Sequence, residues 1–197
     1  ELKENEPALC RAFYERTGCP VHACYPLAKI IWLKRNRPEL FARTKYIGSI
    51  KDHLFHAFTG AFLVDRSTAS TALYNARELR WDEEILNFIG ITEEMLPPVV
   101  STTEARPLTA DAAERMHLTA GLPVVIGATD GVLVNVGIGA VSAGQLSATI
   151  GTSGAVRMLV GEPRTDEKMR TWCYNLVDGL WVAGGAINNG GMILRWM

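Results

Sequence analysis

The stretch from Val124 to Val156, VVIGATDGVLVNVGIGAVSAGQLSATIGTSGAV, constrains this chain more than any other. Val124, Val125 and Ile126 form a run too short for a helix and rich in β-branched residues. This predicts a buried strand ending at Gly127, with Asp130 just past its end. Gly131 to Ala140 has the pattern of a helix loosened by Gly137 and Gly139. Leu146 to Ile150 predicts a second strand, which delivers Gly151-Thr152-Ser153-Gly154 into a tight turn. In such a turn backbone N–H groups can converge on an anion, and the two hydroxyls can donate to it. One strand end thus offers a base and the next an anion cradle. Each signal also has a plainer meaning: Asp-Gly is an ordinary turn, and Gly-Thr-Ser-Gly, which lacks the Lys of a Walker-type loop, is an ordinary hairpin.

With 197 residues, 48% of them hydrophobic, and a net charge of −1, the chain suits one or two globular domains and has nothing to attract nucleic acid. No apolar run reaches the roughly 20 residues of a membrane span, because Asn135 and several glycines interrupt the longest. There is no secretory n-region, and the chain begins at Glu1, so it reads as an excerpt of a cytoplasmic protein. Cys10, Cys19, Cys24 and Cys173 suit reduced cytosolic thiols. The spacing of Cys19, His22 and Cys24 invites a metal, but no second ligand pair follows, so no metal ligand is assigned.

Residues 6 to 17 carry Leu9, Ala12, Phe13 and Arg16 at helical spacing, and Gly18 is placed to stop that helix in the left-handed conformation. Cys19 to Pro26 predicts a loop, whose His22 and Tyr25 either line a binding site or are a solvated histidine and a packing tyrosine. Leu27, Ile30 and Ile31 mark the next helix. Ser49 and Asp52 predict a capping box, with Ile50, Leu54, Ala57 and Phe58 as the apolar stripe, His53 and His56 as structural residues, and Gly60 as the stop. Phe62 to Val64 predicts a short strand leading to Asp65, Arg66 and Ser67, placed where α/β sites gather polar groups. Asp82 to Ile89, ended by Gly90, and Thr109 to Leu118 predict further helices. Beyond residue 145 the pattern changes to strands: Leu146 to Ile150, Ala155 to Val160, Trp172 to Val177 and Leu180 to Ala183. A domain boundary is therefore expected near 141 to 145. The tail from Gly184 to Gly191 then opens a helix, Met192 to Met197, whose free N–H groups could hold a phosphate.

GATDGVLVNVGIGAV followed by TIGTSGAVR resembles the FGGY carbohydrate kinases, and among them the gluconokinases. YPLAKIIWLKRN, with Lys29 and Trp32, is similar to that family's first signature, although Cys24 stands where Met, Phe, Tyr, Gly or Ser is usual. VDRSTAS from Val64 to Ser70, then Trp81-Asp82 and Leu96-Pro97, resembles the segment between the family's sugar site and its hinge.

The resemblance implies an α/β fold, the ribonuclease-H-like, actin-like two-domain sugar kinase, with both domains incomplete in this chain. Residues 1 to 143 would be the later part of the N-terminal sugar-binding domain, and 144 to 197 the start of the nucleotide-binding domain. It implies that a sugar hydroxyl attacks the γ-phosphate of ATP with Mg2+, with Asp130 as general base. Gly151, Thr152 and Ser153 would cradle the phosphoryl group, Gly190 and Gly191 would lie against the inner phosphates, and Arg66, Gly131 and His22 would line the sugar pocket. D-gluconate is the implied acceptor, because a guanidinium at Arg66 can grip a sugar-acid carboxylate; the alternative for Arg66 is a salt bridge with Asp65 or another acid. A xylulokinase and a non-catalytic sugar-binding module are the alternatives, and a homodimer is compatible with either. The chain by itself is expected to be inactive.

Overall fold

The computed structural model describes residues 2 to 71, 73 to 142 and 144 to 196. The first elements are α1 (Leu2–Asn5), α2 (Pro7–Thr17), α3 (Pro26–Asn36), α4 (Pro38–Arg43), α5 (Ile50–Thr59), β1 (Val64–Asp65), α6 (Arg66–Ala69), β2 (Tyr74–Asn75), β3 (Arg80–Trp81) and α7 (Glu83–Ile89). After a 3₁₀ turn (Glu93–Met95) come β4 (Val99–Val100), β5 (Ala105–Pro107), α8 (Ala110–Met116), β6 (Pro123–Val125) and α9 (Asp130–Gly137). The chain then runs through β7 (Leu146–Ile150), β8 (Gly154–Val160), β9 (Trp172–Val177), β10 (Leu180–Ile187) and α10 (Met192–Trp196).

Local chemistry sets several helix ends. At α5, Ser49 Oγ accepts the Asp52 N–H at 3.2 Å and Asp52 Oδ2 accepts the Ser49 N–H at 2.6 Å, the reciprocal capping box expected there. Asp82 and Thr109 accept amides of the first turns of α7 and α8 at 3.1 and 3.3 Å. Gly18, Gly60 and Gly90, at φ +69°, +74° and +74°, end α2, α5 and α7 in the left-handed region, where a glycine carries no steric penalty.

Two parts of the molecule share one core. Phe13, Leu27, Ile30, Val64, Trp81, Ile85 and Ile89 of the helical part pack with Leu159, Tyr174, Leu176 and Val182 of a four-stranded antiparallel sheet of order β7-β8-β10-β9. β9 lies against α6, and polar bonds stitch the seam. Thr102 Oγ1 donates to the Leu176 carbonyl at 2.6 Å, the Cys173 N–H donates to the Gly18 carbonyl at 2.8 Å, and the Asn175 N–H donates to Ser70 Oγ at 3.2 Å. The boundary expected near 141 to 145 includes Ala143, which lies outside the described residues, as does Met197 at the end of the expected last helix.

Five expectations change. The run Val124 to Ile126 is not a buried strand: β6 pairs only with β5, Val125 is 57% exposed, and of the three residues only Ile126 is buried. A two-stranded ribbon covers neither face by itself, so an apolar run in it need not be enclosed. The strand after Phe62 starts at Val64, where β1 pairs in parallel with β4. The stripe foreseen on α5 is out of phase, since Ile50 and Leu54 are exposed while Asp52 and Phe55 are buried; the capping box turns Asp52 inward and fixes the face that follows it. His53 and His56 are exposed and line an open groove of about 990 Å³. β10 continues through Gly184 and Gly185 to Ile187, because the missing Cβ of Gly184 admits Trp172 and the Val156 carbonyl.

Candidate active site

The end of β1 is organised by Asp65, whose side chain is fully buried. Its Oδ1 accepts the N–H groups of Ser67 and Thr68 at 2.9 and 3.1 Å, and its Oδ2 accepts Thr68 Oγ1 at 2.6 Å and Lys51 Nζ at 2.5 Å. Asp65 thereby caps α6 and is paired with a cation, as a buried carboxylate requires. Ser67 Oγ donates to Asp65 Oδ1 and accepts the Thr129 N–H at 2.8 Å. That last bond joins the end of β1 to the residue before Asp130.

Asp130 is exposed and is the first residue of α9, rather than the end of a strand as expected. The chain leaves β6, turns at Gly127 with φ +68°, and enters the helix after Thr129. Asp130 Oδ1 accepts the Gly131 N–H at 2.6 Å, and no other side-chain partner holds it among the described residues. An exposed carboxylate without an ion-pair partner can receive a hydroxyl brought to it.

Farther along, the two glycine segments meet. The Gly190 N–H donates to the Thr152 carbonyl at 2.8 Å and the Gly191 N–H to the Gly151 carbonyl at 2.7 Å, while the Gly151 N–H donates to the Ser153 carbonyl at 2.8 Å. A Cβ at Gly190 would lie 2.5 Å from the Ser153 carbonyl oxygen, so only glycine fits. These bonds use up the amides of Gly151, Gly190 and Gly191. Those of Thr152 and Ser153, with both hydroxyls, have no partner among the described residues and are exposed. Beside them opens a hollow of about 710 Å³ lined by Ile150, Gly151, Thr152, Gly191, Met192 and Trp196. Free amides, free hydroxyls and a backbone no side chain obstructs fit a phosphate chain.

α9 lies on the β7–β8 hairpin that carries this turn. Ser147 Oγ donates to Asn135 Oδ1 at 2.7 Å, both residues buried, which fixes the helix of Asp130 to the hairpin of the cradle.

The sugar-side candidates are less closely assembled. Arg66 is ion-paired with Asp178, in the turn between β9 and β10, and not with Asp65, which Lys51 takes. His22 is exposed and held within its own loop, its Nδ1 accepting the Cys24 N–H at 3.2 Å. Among the described residues no hydrogen bond or ion pair joins His22, Arg66 and Asp130. Cys19 is buried away from His22, and burial pushes its thiol far above the usual range, so it does not supply a thiolate. Among the described residues no group of three or more His, Cys, Asp or Glu side chains gathers to hold a metal.

Sequence reasoning missed Arg157, discussed below, and placed Ser67 only among the polar groups after β1, without its role of linking the two halves through its hydroxyl. The signals were present, Ser67 in VDRSTAS and Arg157 at the end of TIGTSGAVR, but spacing alone gave neither a partner.

The model of the FGGY family of carbohydrate kinases, N-terminal domain, matches residues 2–137. The chain is 45% identical over 187 residues to a gluconokinase of Bacillus subtilis, covering 93% of this chain and 36% of that protein's length. It therefore spans about a third of such a relative. Crystal structures of a gluconate kinase and of a ligand-bound xylulose kinase, both from Lactobacillus acidophilus, each superpose with a TM-score of 0.94 at 29% identity, covering 98% of this chain and 40% of theirs. Among the described residues no helix is long and apolar enough to cross a membrane.

Proposed function

The chain belongs to the FGGY family of carbohydrate kinases and carries part of its ribonuclease-H-like, actin-like fold, and from that premise we propose that the whole protein phosphorylates D-gluconate to 6-phosphogluconate with MgATP. The observation that carries this reading is the clamp of Gly190 and Gly191 on the Gly151–Ser153 turn, which sits on the same hairpin that holds the helix of Asp130. ATP supplies the phosphoryl group, and the free amides and hydroxyls of Thr152 and Ser153 receive it. Asp130 accepts the proton of the attacking hydroxyl as the new bond to phosphorus forms. Gly131 leaves the sugar side open, and His22 from its loop and Arg66 from the start of α6 are assigned to the sugar by the family resemblance. Residues 1 to 143 serve the sugar and 144 to 197 open the nucleotide domain. Use of ATP suits a cytoplasmic enzyme.

Gluconate is favoured by the identity to gluconokinases. The pairing of Arg66 with Asp178 favours a second reading, a neutral ketose such as xylulose, since that cation is already neutralised. A panel of sugars and sugar acids assayed with ATP on the full-length protein decides between them. Gluconate is expected to give the highest kcat/KM; a higher value for xylulose overturns the assignment, and ATP-independent sugar binding without turnover would make the protein a binding module.

A further inference from the structure

We propose that Arg157 is a catalytic cation of this site, neutralising the phosphoryl group in transfer through the Nε/Nη2 edge of its guanidinium; this rests on the roles given above to Asp130 and the Gly151–Ser153 turn. Arg157 lies on β8, three residues beyond Gly154, and pairs across the hairpin with Ser147, the residue that holds α9. Its side chain reaches back under the first turn of α9, so that a Cβ on Gly131 would lie 3.7 Å from its Nε. Nη1 donates to Thr149 Oγ1 at 3.0 Å. Nε is enclosed and has no hydrogen-bond partner.

Occupying Nη1 leaves the Nε/Nη2 edge, which grips an oxyanion with two parallel bonds. That edge has no acceptor and no acid among the described residues, whereas the partly buried Arg16 and Arg66 are paired with Asp82 and Asp178. A guanidinium beside Gly131, the neighbour of the candidate base, and bonded to Thr149, two residues before the glycine turn, with its gripping edge unfilled, lacks an anion. The carboxylate of a sugar acid stands at the far end of the carbon chain from the hydroxyl that reacts, so it does not meet a cation beside the base. The transferring phosphoryl group does, and its oxygens carry the charge that positioned cations stabilise. In the step itself a bond forms between the sugar hydroxyl oxygen and the γ-phosphorus. The bond from that phosphorus to the β–γ bridging oxygen breaks, ADP leaves with the electron pair, and the hydroxyl proton passes to Asp130. Arg157 exchanges no atom.

The test uses the full-length protein with Arg157→Met, Arg157→Lys and, in parallel, Asp130→Asn. Steady-state kinetics are joined to the affinity for ADP with aluminium fluoride and sugar, a mimic of the phosphoryl group in flight. Arg157→Met is expected to lower kcat by about 10²–10³ and to weaken the mimic by a similar factor, with ADP and sugar binding kept; Arg157→Lys falls between. Wild-type affinity for the mimic in Arg157→Met overturns the proposal, and if that variant does not fold, the same result in Arg157→Lys does so. A shift in the acid limb of the kcat/KM profile with mimic affinity intact also overturns it, because Arg157 would then serve Asp130. If Asp130→Asn keeps about a tenth or more of kcat, the reading of the whole site fails; if Asp130→Asn is inactive and Arg157→Met binds the mimic normally, only the role of Arg157 falls.

Discussion

Asp65 and the Gly151–Ser153 turn both stand at the end of a strand, yet they are held in opposite ways. Asp65 is buried and fixed by side chains, those of Lys51, Ser67 and Thr68, together with two amides. The turn is fixed by backbone alone, through the amides of Gly190 and Gly191, and its own hydroxyls stay free. The difference teaches where each half tolerates change. A side-chain network loses one bond at a time, and conservative replacements can restore it. A backbone clamp that admits no Cβ has no conservative replacement.

The comparison is sharpened first where the two halves meet. Asp130→Asn in the full-length enzyme is expected to lower kcat by about 10²–10⁴ while sugar binding survives, the usual worth of a positioned general base. Single-turnover and steady-state assays check it. Retention of about a tenth of kcat would remove Asp130 from the role and leave the two halves without a common reacting group.

Gly190→Ala tests the clamp. The new Cβ would meet the Ser153 carbonyl oxygen at 2.5 Å and the Gly151 carbonyl oxygen at 2.8 Å, so the two segments must part. A displacement of that kind costs on the order of 10² in kcat/KM for ATP, with the sugar KM little changed. Equal losses toward ATP and sugar would show that the clamp supports the fold as a whole rather than the phosphate side.

On the side-chain half, Arg66→Ala distinguishes a sugar contact from a strut. If Arg66 grips the acid, gluconate should lose about one to two orders of magnitude in kcat/KM, the worth of a charged hydrogen bond, and a neutral polyol should lose little. Asp178→Ala should then be harmless or favourable, since it frees the guanidinium. If Arg66→Ala and Asp178→Ala do equal damage to every sugar, the pair is a strut between α6 and the β9–β10 turn.

What the sequence revealed follows the same division. The capping box and the glycine stops are legible because their partners stand within one helical turn: Ser49 with Asp52, and Gly18, Gly60 and Gly90 at their helix ends. The Gly151–Ser153 turn was legible as a turn and in its resemblance. Its clamp was not, because a contact between backbone atoms leaves no mark in sequence except a glycine. Arg66 and Asp178 are 112 residues apart, and charge pairing over that distance depends on how β9 docks on α6. The burial of Val124 and Val125 was misjudged for a related reason: a run of apolar residues records what could be covered and not what covers it.

The smallest effect belongs to the most local device. Ser49→Ala removes the hydroxyl that accepts the Asp52 amide, while Asp52 Oδ2 can still accept the Ser49 backbone N–H, so only half of the capping box is lost. A lost N-cap of this kind costs about 1 kcal/mol. Denaturant titration should show a lower midpoint with an unchanged slope, the mark of reduced stability without a change in the surface exposed on unfolding. Kinetic constants for ATP and sugar should stay at wild-type values, because Asp65, held by its own bonds from Ser67 and Thr68, does not depend on Ser49. Lys51 links them, since it stands in the first turn of α5 and also pairs with Asp65. A fall in sugar kcat/KM in Ser49→Ala would therefore mean that fraying of α5 withdraws Lys51 from Asp65. The side-chain half would then be as cooperative as the backbone clamp, and the contrast between the two would close.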